Sequence, residues 1–218
     1  MAQTAQRKRR PGRPREDERG EESIREQLLA AAGELFGTLG YPGASVNQIV
    51  KQVGITPAAL YWHFESKEAL LYALLMEGTD QFEAELNAAV GDADDPAEVL
   101  RRLAAGHTHA CLTNPQVARV DFSAKALSQW LSKEHYEEFH ERQRKIIARW
   151  RDVIRMGMEA GEFAVDGPTI TALAIIDMCE GAPAWFNPTG PLSAEEVADE
   201  YGLLALRLAA YEPKKKDG

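Results

Sequence analysis

SVNQIVKQVGITPAALYWHF, residues 45–64, is the stretch on which the reading of this chain turns. Ser45 is a favourable N-cap residue, and Val46, Ile49, Val50 and Val53 then recur at helical spacing. Gly54 follows the last apolar position, where a left-handed residue stops a helix and turns the chain. Thr56 caps a second, short helix with Pro57 at its first position, where the missing N–H costs nothing. Two short helices joined by a glycine turn make a helix-turn-helix, the motif whose second helix enters the major groove of double-stranded DNA. On that second helix Leu60 faces inward against Val46, Ile49 and Val53, so Ala58, Ala59 and Tyr61 lie outward. Small alanines permit close approach to thymine methyls, and Tyr61 offers a ring and a hydroxyl. Asn47 and Gln48, early on the first helix of the motif, reach toward phosphate or a base edge. Ser45 and Thr56, as caps, set helix N-termini against phosphates. Phe64 reads as core.

The flanks narrow the identification. Thr56 to Phe64, followed by Ser66-Lys67-Glu68-Ala69-Leu70, closely resembles the signature of the TetR family of bacterial repressors. The preceding FGTLGYPGAS, residues 36–45, is similar to that family's exit from its first helix. The resemblance covers residues 22–82. It implies that Trp62, His63 and Lys67 contact the DNA backbone, and that the rest of the chain is a helical effector-binding and dimerisation domain.

Toward the N-terminus the composition changes. The 218-residue chain carries 25 basic and 34 acidic residues, a net charge of −9. Residues 1–15 nevertheless hold Arg7, Lys8, Arg9, Arg10, Arg13 and Arg15 and no acid, which leaves the remainder strongly acidic. Such a distribution restricts where a polyanion approaches. Residues 1–21 are predicted to be a disordered basic arm. Within it Pro11-Gly12-Arg13-Pro14-Arg15 resembles an AT-hook, which places Arg13 in a narrow minor groove.

The rest reads as helices throughout, about nine in all. Ser23 and Glu26 form a capping box that opens a helix ended by Gly40 and Pro42, and Ser66 caps a long helix to about Val90. Further helices are predicted over 97–113, 116–131, 132–160 and 168–186, and Ser193 opens the last, running through Ala210. No segment alternates like a strand. The expected organisation is an all-α chain: the arm at 1–21, a three-helix helix-turn-helix domain at 22–82, and a helical domain at 83–212.

The final two helices carry apolar residues on more than one face, so each buries a second face against a core or a partner chain. The family resemblance implies a homodimer formed there, through Ile170, Leu173, Val197, Tyr201, Leu204 and Leu208. Residues 185–198, around Trp185-Phe186-Asn187-Pro188, are also similar to the C-terminal end of TetR-type regulators of fatty-acid, sterol or other CoA-linked catabolism. With those two helices committed to pairing, an effector pocket falls among residues 97–186. Its expected lining is His107, Cys111, Phe122, Trp130, Trp150, Met178 and Trp185, aromatic and poor in charge, which favours a small lipophilic effector. Arg101, Arg102, Arg119, Lys125, Arg142 and Arg149 are the basic residues available at its mouth for a CoA tail.

Other constellations carry less chemistry. His107 and Cys111 share a helical face, but two ligands make no metal site. His135 and His140 sit among Glu134, Glu137, Glu138 and Glu141 and read as a solvated face. No phosphate loop, nucleophile elbow or carboxylate pair is visible, so neither an enzyme, a cofactor nor a bound metal is expected. No apolar run approaches a membrane span, no apolar segment follows the basic start as in a secretory signal, and the two cysteines fit a reducing cytoplasm. The expected function is ligand-responsive repression of transcription by a homodimer on a pseudo-palindromic operator. The alternatives are a drug-sensing repressor of an efflux pump, or a helical lipid carrier or enzyme that keeps the hairpin.

Overall fold

The computed structural model describes residues 16–113 and 124–212, and within them every regular element is a helix. In chain order these are α1 (Glu16–Gly43), α2 (Val46–Val53), α3 (Pro57–His63), α4 (Lys67–Val90), α5 (Pro96–Thr113), α6 (Ala124–Trp130), α7 (Lys133–Glu159), α8 (Pro168–Gly181) and α9 (Ala194–Leu208). A single isolated bridge, Phe163 with Tyr211, is the only extended pairing among the described residues.

Most helix ends follow the caps. Ser66, Ser132 and Ser193 each accept a hydrogen bond from the backbone N–H three residues on, and Ser193 with Glu196 closes a reciprocal capping box. Three boundaries differ from those expected. α1 begins at Glu16, so residues 16–21 of the expected disordered arm are helical and the chain runs through Ser23 without a start there. The turn out of α1 is made at Gly40, whose φ of 72° and ψ of 156° are not helical. α8 stops at Gly181 rather than Phe186, because Pro183 supplies no N–H to an α-helix, and Ala182–Ala184 form one 3₁₀ turn instead. Of the helix expected over 116–131, residues 124–130 are observed and the first part lies outside the described residues.

Two cores organise the molecule. The first joins Leu28, Phe36, Ile49, Val50, Leu60, Phe64, Leu70 and Leu71 from α1–α4 with Leu127, Leu131 and Phe139 from α6 and α7. The second collects Leu86 of α4, Leu100 and Leu103 of α5, Ile146, Trp150 and Ile154 of α7, Ile175 of α8 and Ala205 of α9. α4 and α7 therefore belong to both. At 27 residues α7 is about 40 Å long, enough to reach from one core into the other.

Candidate nucleic-acid interface

The helix-turn-helix is held by short-range bonds. Ser45 Oγ accepts from the Gln48 N–H at 3.2 Å, while Gln48 Oε1 accepts from the Ser45 N–H at 2.8 Å and from its hydroxyl at 2.7 Å. The Gln48 carbonyl is thereby committed to the cap of its own helix. Gly54 turns the chain at φ 81°, its N–H donating to the Val50 carbonyl, a conformation that a Cβ would strain. Thr56 Oγ1 accepts from the Ala59 N–H at 3.3 Å. Ile49 and Leu60, both fully buried, lock α2 onto α3.

With Leu60 turned inward, α3 presents the opposite face to solvent. Tyr61 is 53% and Trp62 67% exposed, an unusual surface for such large apolar groups. Trp62 packs edge-on against His63 with ring centroids 4.8 Å apart. Ser45, Asn47, Gln48, Thr56 and Ala58 are exposed as well, while Ala59 and His63 are half-buried. Nine of the residues expected at DNA are thus exposed or half-buried in the motif. Arg13 lies outside the described residues.

Lys67 has partners within its own chain. Its ammonium donates to the Tyr41 carbonyl and sits 4.1 Å from the Tyr41 ring centroid and 5.7 Å from that of Phe36. Partial burial pulls its pKa down. The group expected on phosphate also ties the exit of α1 to the start of α4, using one of its three N–H donors on the Tyr41 carbonyl.

Tyr61→Ala removes a ring and hydroxyl that lie largely in solvent. Operator affinity falls by about 1–3 kcal/mol while the thermal midpoint stays within a degree or two, read by fluorescence anisotropy and by calorimetry. Full-strength operator binding by this variant would mean that α3 does not dock through this face.

Sequence reasoning missed how the second domain grips the first. Glu68 Oε1 accepts from the Ser132 N–H at 2.9 Å and lies 2.7 Å from His135 Nδ1. The His135 ring stacks flat on Tyr72 at 3.8 Å. Arg142 is bonded to Glu83 at 2.7 Å and to Asp80, and Trp130 rests 5.2 Å from Tyr41. The histidine read as solvated is thus a junction residue, and His140 lies against Tyr136. Nothing local signals this, because the hydrogen-bonded partners are 59 to 67 residues apart and the Trp130–Tyr41 pair is farther still.

The residues expected to line a pocket divide. His107 and Trp150 are both buried in the second core with ring centroids 5.7 Å apart, and Phe82 meets His107 edge-on at 4.7 Å. Met178 packs on the same core, and Cys111 is half-buried one turn beyond His107. Burial pushes the Cys111 thiol up to about 12 and Cys179 to about 11, so both stay protonated. Trp130 belongs to the first core, and Trp185 is half-exposed with its indole N–H donating to the Tyr201 hydroxyl at 3.1 Å. Neither lies in the interior around His107. Phe122 and Arg119 fall outside the described residues. Of the expected basic donors, Arg101 and Arg102 are held by Glu98, Arg142 by Glu83 and Asp80, and Arg149 by Asn87, while Lys125 is exposed.

The terminal helices also sort their apolar residues. Ile170 is 76% exposed, and Leu173, Leu203 and Leu208 are exposed with it, whereas Leu204 and Tyr201 are half-buried. Val197, expected at a partner chain, is 3% exposed beneath Leu112 and Ala182 of its own chain. Leu203 was not anticipated at this surface.

Two family descriptions match the chain: "Bacterial regulatory proteins, tetR family" over residues 28–74, and "Tetracyclin repressor-like, C-terminal domain" over residues 93–209. The HTH-type transcriptional repressor KstR2 of Mycolicibacterium smegmatis is 30% identical over 191 residues, 84% of this chain and 89% of that protein. The ketosteroid transcriptional regulator KstR2 of Mycobacterium tuberculosis superposes with a TM-score of 0.74 at 26% identity, covering 84% of this chain and 93% of that one. AibR, solved with isovaleryl coenzyme A and operator DNA, does so with a TM-score of 0.73 at 26% identity, over 83% and 97%. Matched in both of its halves, this chain belongs to the tetR family of bacterial regulatory proteins, helix-turn-helix repressors of transcription.

Proposed function

We propose that the chain acts in the cytoplasm as a homodimer that represses transcription from a pseudo-palindromic operator and responds to a small lipophilic effector of the acyl-CoA type. The observation that carries this reading is that α7 is built into both cores. Phe139 packs under the helix-turn-helix domain, and Ile146, Trp150 and Ile154 form the interior of the second domain. A molecule that repacks that interior shifts α7, and through Glu68, Tyr72 and Asp80 it shifts α4 and the motif ahead of it. Two α3 helices must sit about 34 Å apart, or a multiple, to enter successive major grooves, so a small rotation breaks register. The exposed apolar surface of α8 and α9 supports pairing there. AibR, solved with an acyl-CoA and its operator, supports the effector class.

The basic segment at residues 1–15 adds phosphate or minor-groove contacts in this reading. The test is operator binding to DNA from upstream of the protein's own gene, with long-chain acyl-CoA, free fatty acid and hydrophobic drugs titrated in turn. Release by acyl-CoA at the lowest concentration is expected. Release by drugs alone would make the protein a drug sensor, and failure to bind the DNA would remove the operator assignment.

A further inference from the structure

Two aromatic side chains in the interior of the second domain each bury a ring nitrogen that has no hydrogen-bonding partner. His107 Nδ1 and Trp150 Nε1 are both shut off from solvent, and neither meets a donor or acceptor. Leaving such groups unpaired costs free energy, and apolar side chains would fill this space without that cost. They are also neighbours, with ring centroids 5.7 Å apart at an angle of 61°. The two come from different helices, α5 and α7.

Their hydrogen-bonding characters are complementary. Indole Nε1–H only donates. Burial lowers the His107 pKa to about 4, so the imidazole is neutral at physiological pH, with one nitrogen protonated and the other a lone-pair acceptor. The Glu180 carboxylate lies 3.9 Å from His107 Nε2, and its field favours the proton on that nitrogen. Nδ1 is then the acceptor and the indole Nε1–H the donor, on rings whose centroids are 5.7 Å apart.

A ketone or ester oxygen accepts but cannot donate, so it would leave Nδ1 unpaired. A carboxylate likewise has nothing to donate, and neither His107 nor Trp150 offers it a positive charge. A hydroxyl satisfies both: its O–H donates to Nδ1 while its oxygen accepts from Nε1–H. Phe82 meets His107 edge-on, and the core to which Trp150 belongs is otherwise made of apolar residues such as Leu86, Leu103 and Ile146.

We propose that His107 and Trp150 are the polar end of the effector site and select a lipophilic molecule bearing a hydroxyl on its apolar part. This rests on the effector-binding role proposed above. It goes further by naming the functional group that is read and the two atoms that read it.

The test uses the full-length protein and three probes of one skeleton: 1-octanol, 2-octanone and octanoate. Binding to the DNA-free protein is followed by calorimetry, and operator release is measured separately by anisotropy. Two exchanged buried hydrogen bonds predict that octanol binds about ten-fold more tightly than either of the others. Trp150→Phe removes the donor together with part of the indole's buried volume, and His107→Leu removes the acceptor. Each should reduce that preference below about three-fold, and His107→Leu, close to the imidazole in volume, should do so while leaving the thermal midpoint of the unliganded protein unchanged or raised, which a structural role for Nδ1 would not allow. Equal binding of the three probes, binding of none, or a preference that survives both substitutions overturns the proposal. Octanol selected through these two residues but without effect on operator binding leaves the hydroxyl site standing and removes the effector role. Operator release by octanoate as readily as by octanol does the reverse.

Discussion

Ile170→Glu combined with Leu203→Glu yields a folded monomer whose operator affinity is lower by at least about 100-fold. Both side chains project from the protomer, Ile170 most of all, so replacing them costs the isolated fold little. In the proposed dimer each carboxylate would be buried without a counter-charge, a penalty of about 3–5 kcal/mol per unpaired group. Over the four carboxylates of the dimer that exceeds the association free energy of a micromolar dimer, about 8 kcal/mol. A monomer reaches one half-site only, and the loss in DNA affinity follows from that. Sedimentation velocity with circular dichroism separates dissociation from unfolding. The contrasting substitution is Val197→Glu, which should unfold the C-terminal region, because Val197 is covered by Leu112 and Ala182 of its own chain. A double variant that sediments as a dimer and binds DNA normally would place the interface on another surface.

Phe36→Ala destabilises the protein by about 3–5 kcal/mol, as expected for truncating a fully buried aromatic ring. Phe36 lies at a crowded point: it meets Tyr41 edge-on with centroids 5.2 Å apart, and Lys67 sits over both rings. Tyr41 in turn rests against Trp130 of α6. Removing the ring therefore loosens the exit from α1, which leads directly into the Ser45 cap of α2, and also the seat of the second domain. Operator affinity should fall along with stability, and the denaturant midpoint of the helix-turn-helix domain should fall more than that of the second core. Urea unfolding followed by tryptophan fluorescence and far-ultraviolet dichroism reads both. A cost below about 1 kcal/mol would show that this corner repacks around the cavity.

The local grammar of the chain was legible from the residues alone. Ser45, Thr56, Ser66 and Ser193 each cap the helix assigned to them, Gly54 takes the left-handed turn, and Leu60 faces inward. Caps, turns and 3.6-residue periodicity act over a few residues, so their consequences can be read without a fold. What only the tertiary structure decided is which of several equivalent side chains meets which distant partner. Val197 and Leu203 are both apolar positions of α9, yet one is covered by α5 and the other faces outward. Lys67 reads only as a cation beside the motif until the Tyr41 carbonyl and two aromatic faces are brought against it. Trp130 and Trp150 are both tryptophans of the second region, but α6 carries the first toward the DNA-binding core while α7 buries the second beside His107. His135 reads as one more polar residue on an acidic helix until Glu68 and Tyr72, more than sixty residues earlier, are brought against it. Periodicity says that a face is buried. The identity of its partner depends on how helices far apart in the chain cross, and the spacing of residues along one helix carries no record of that crossing.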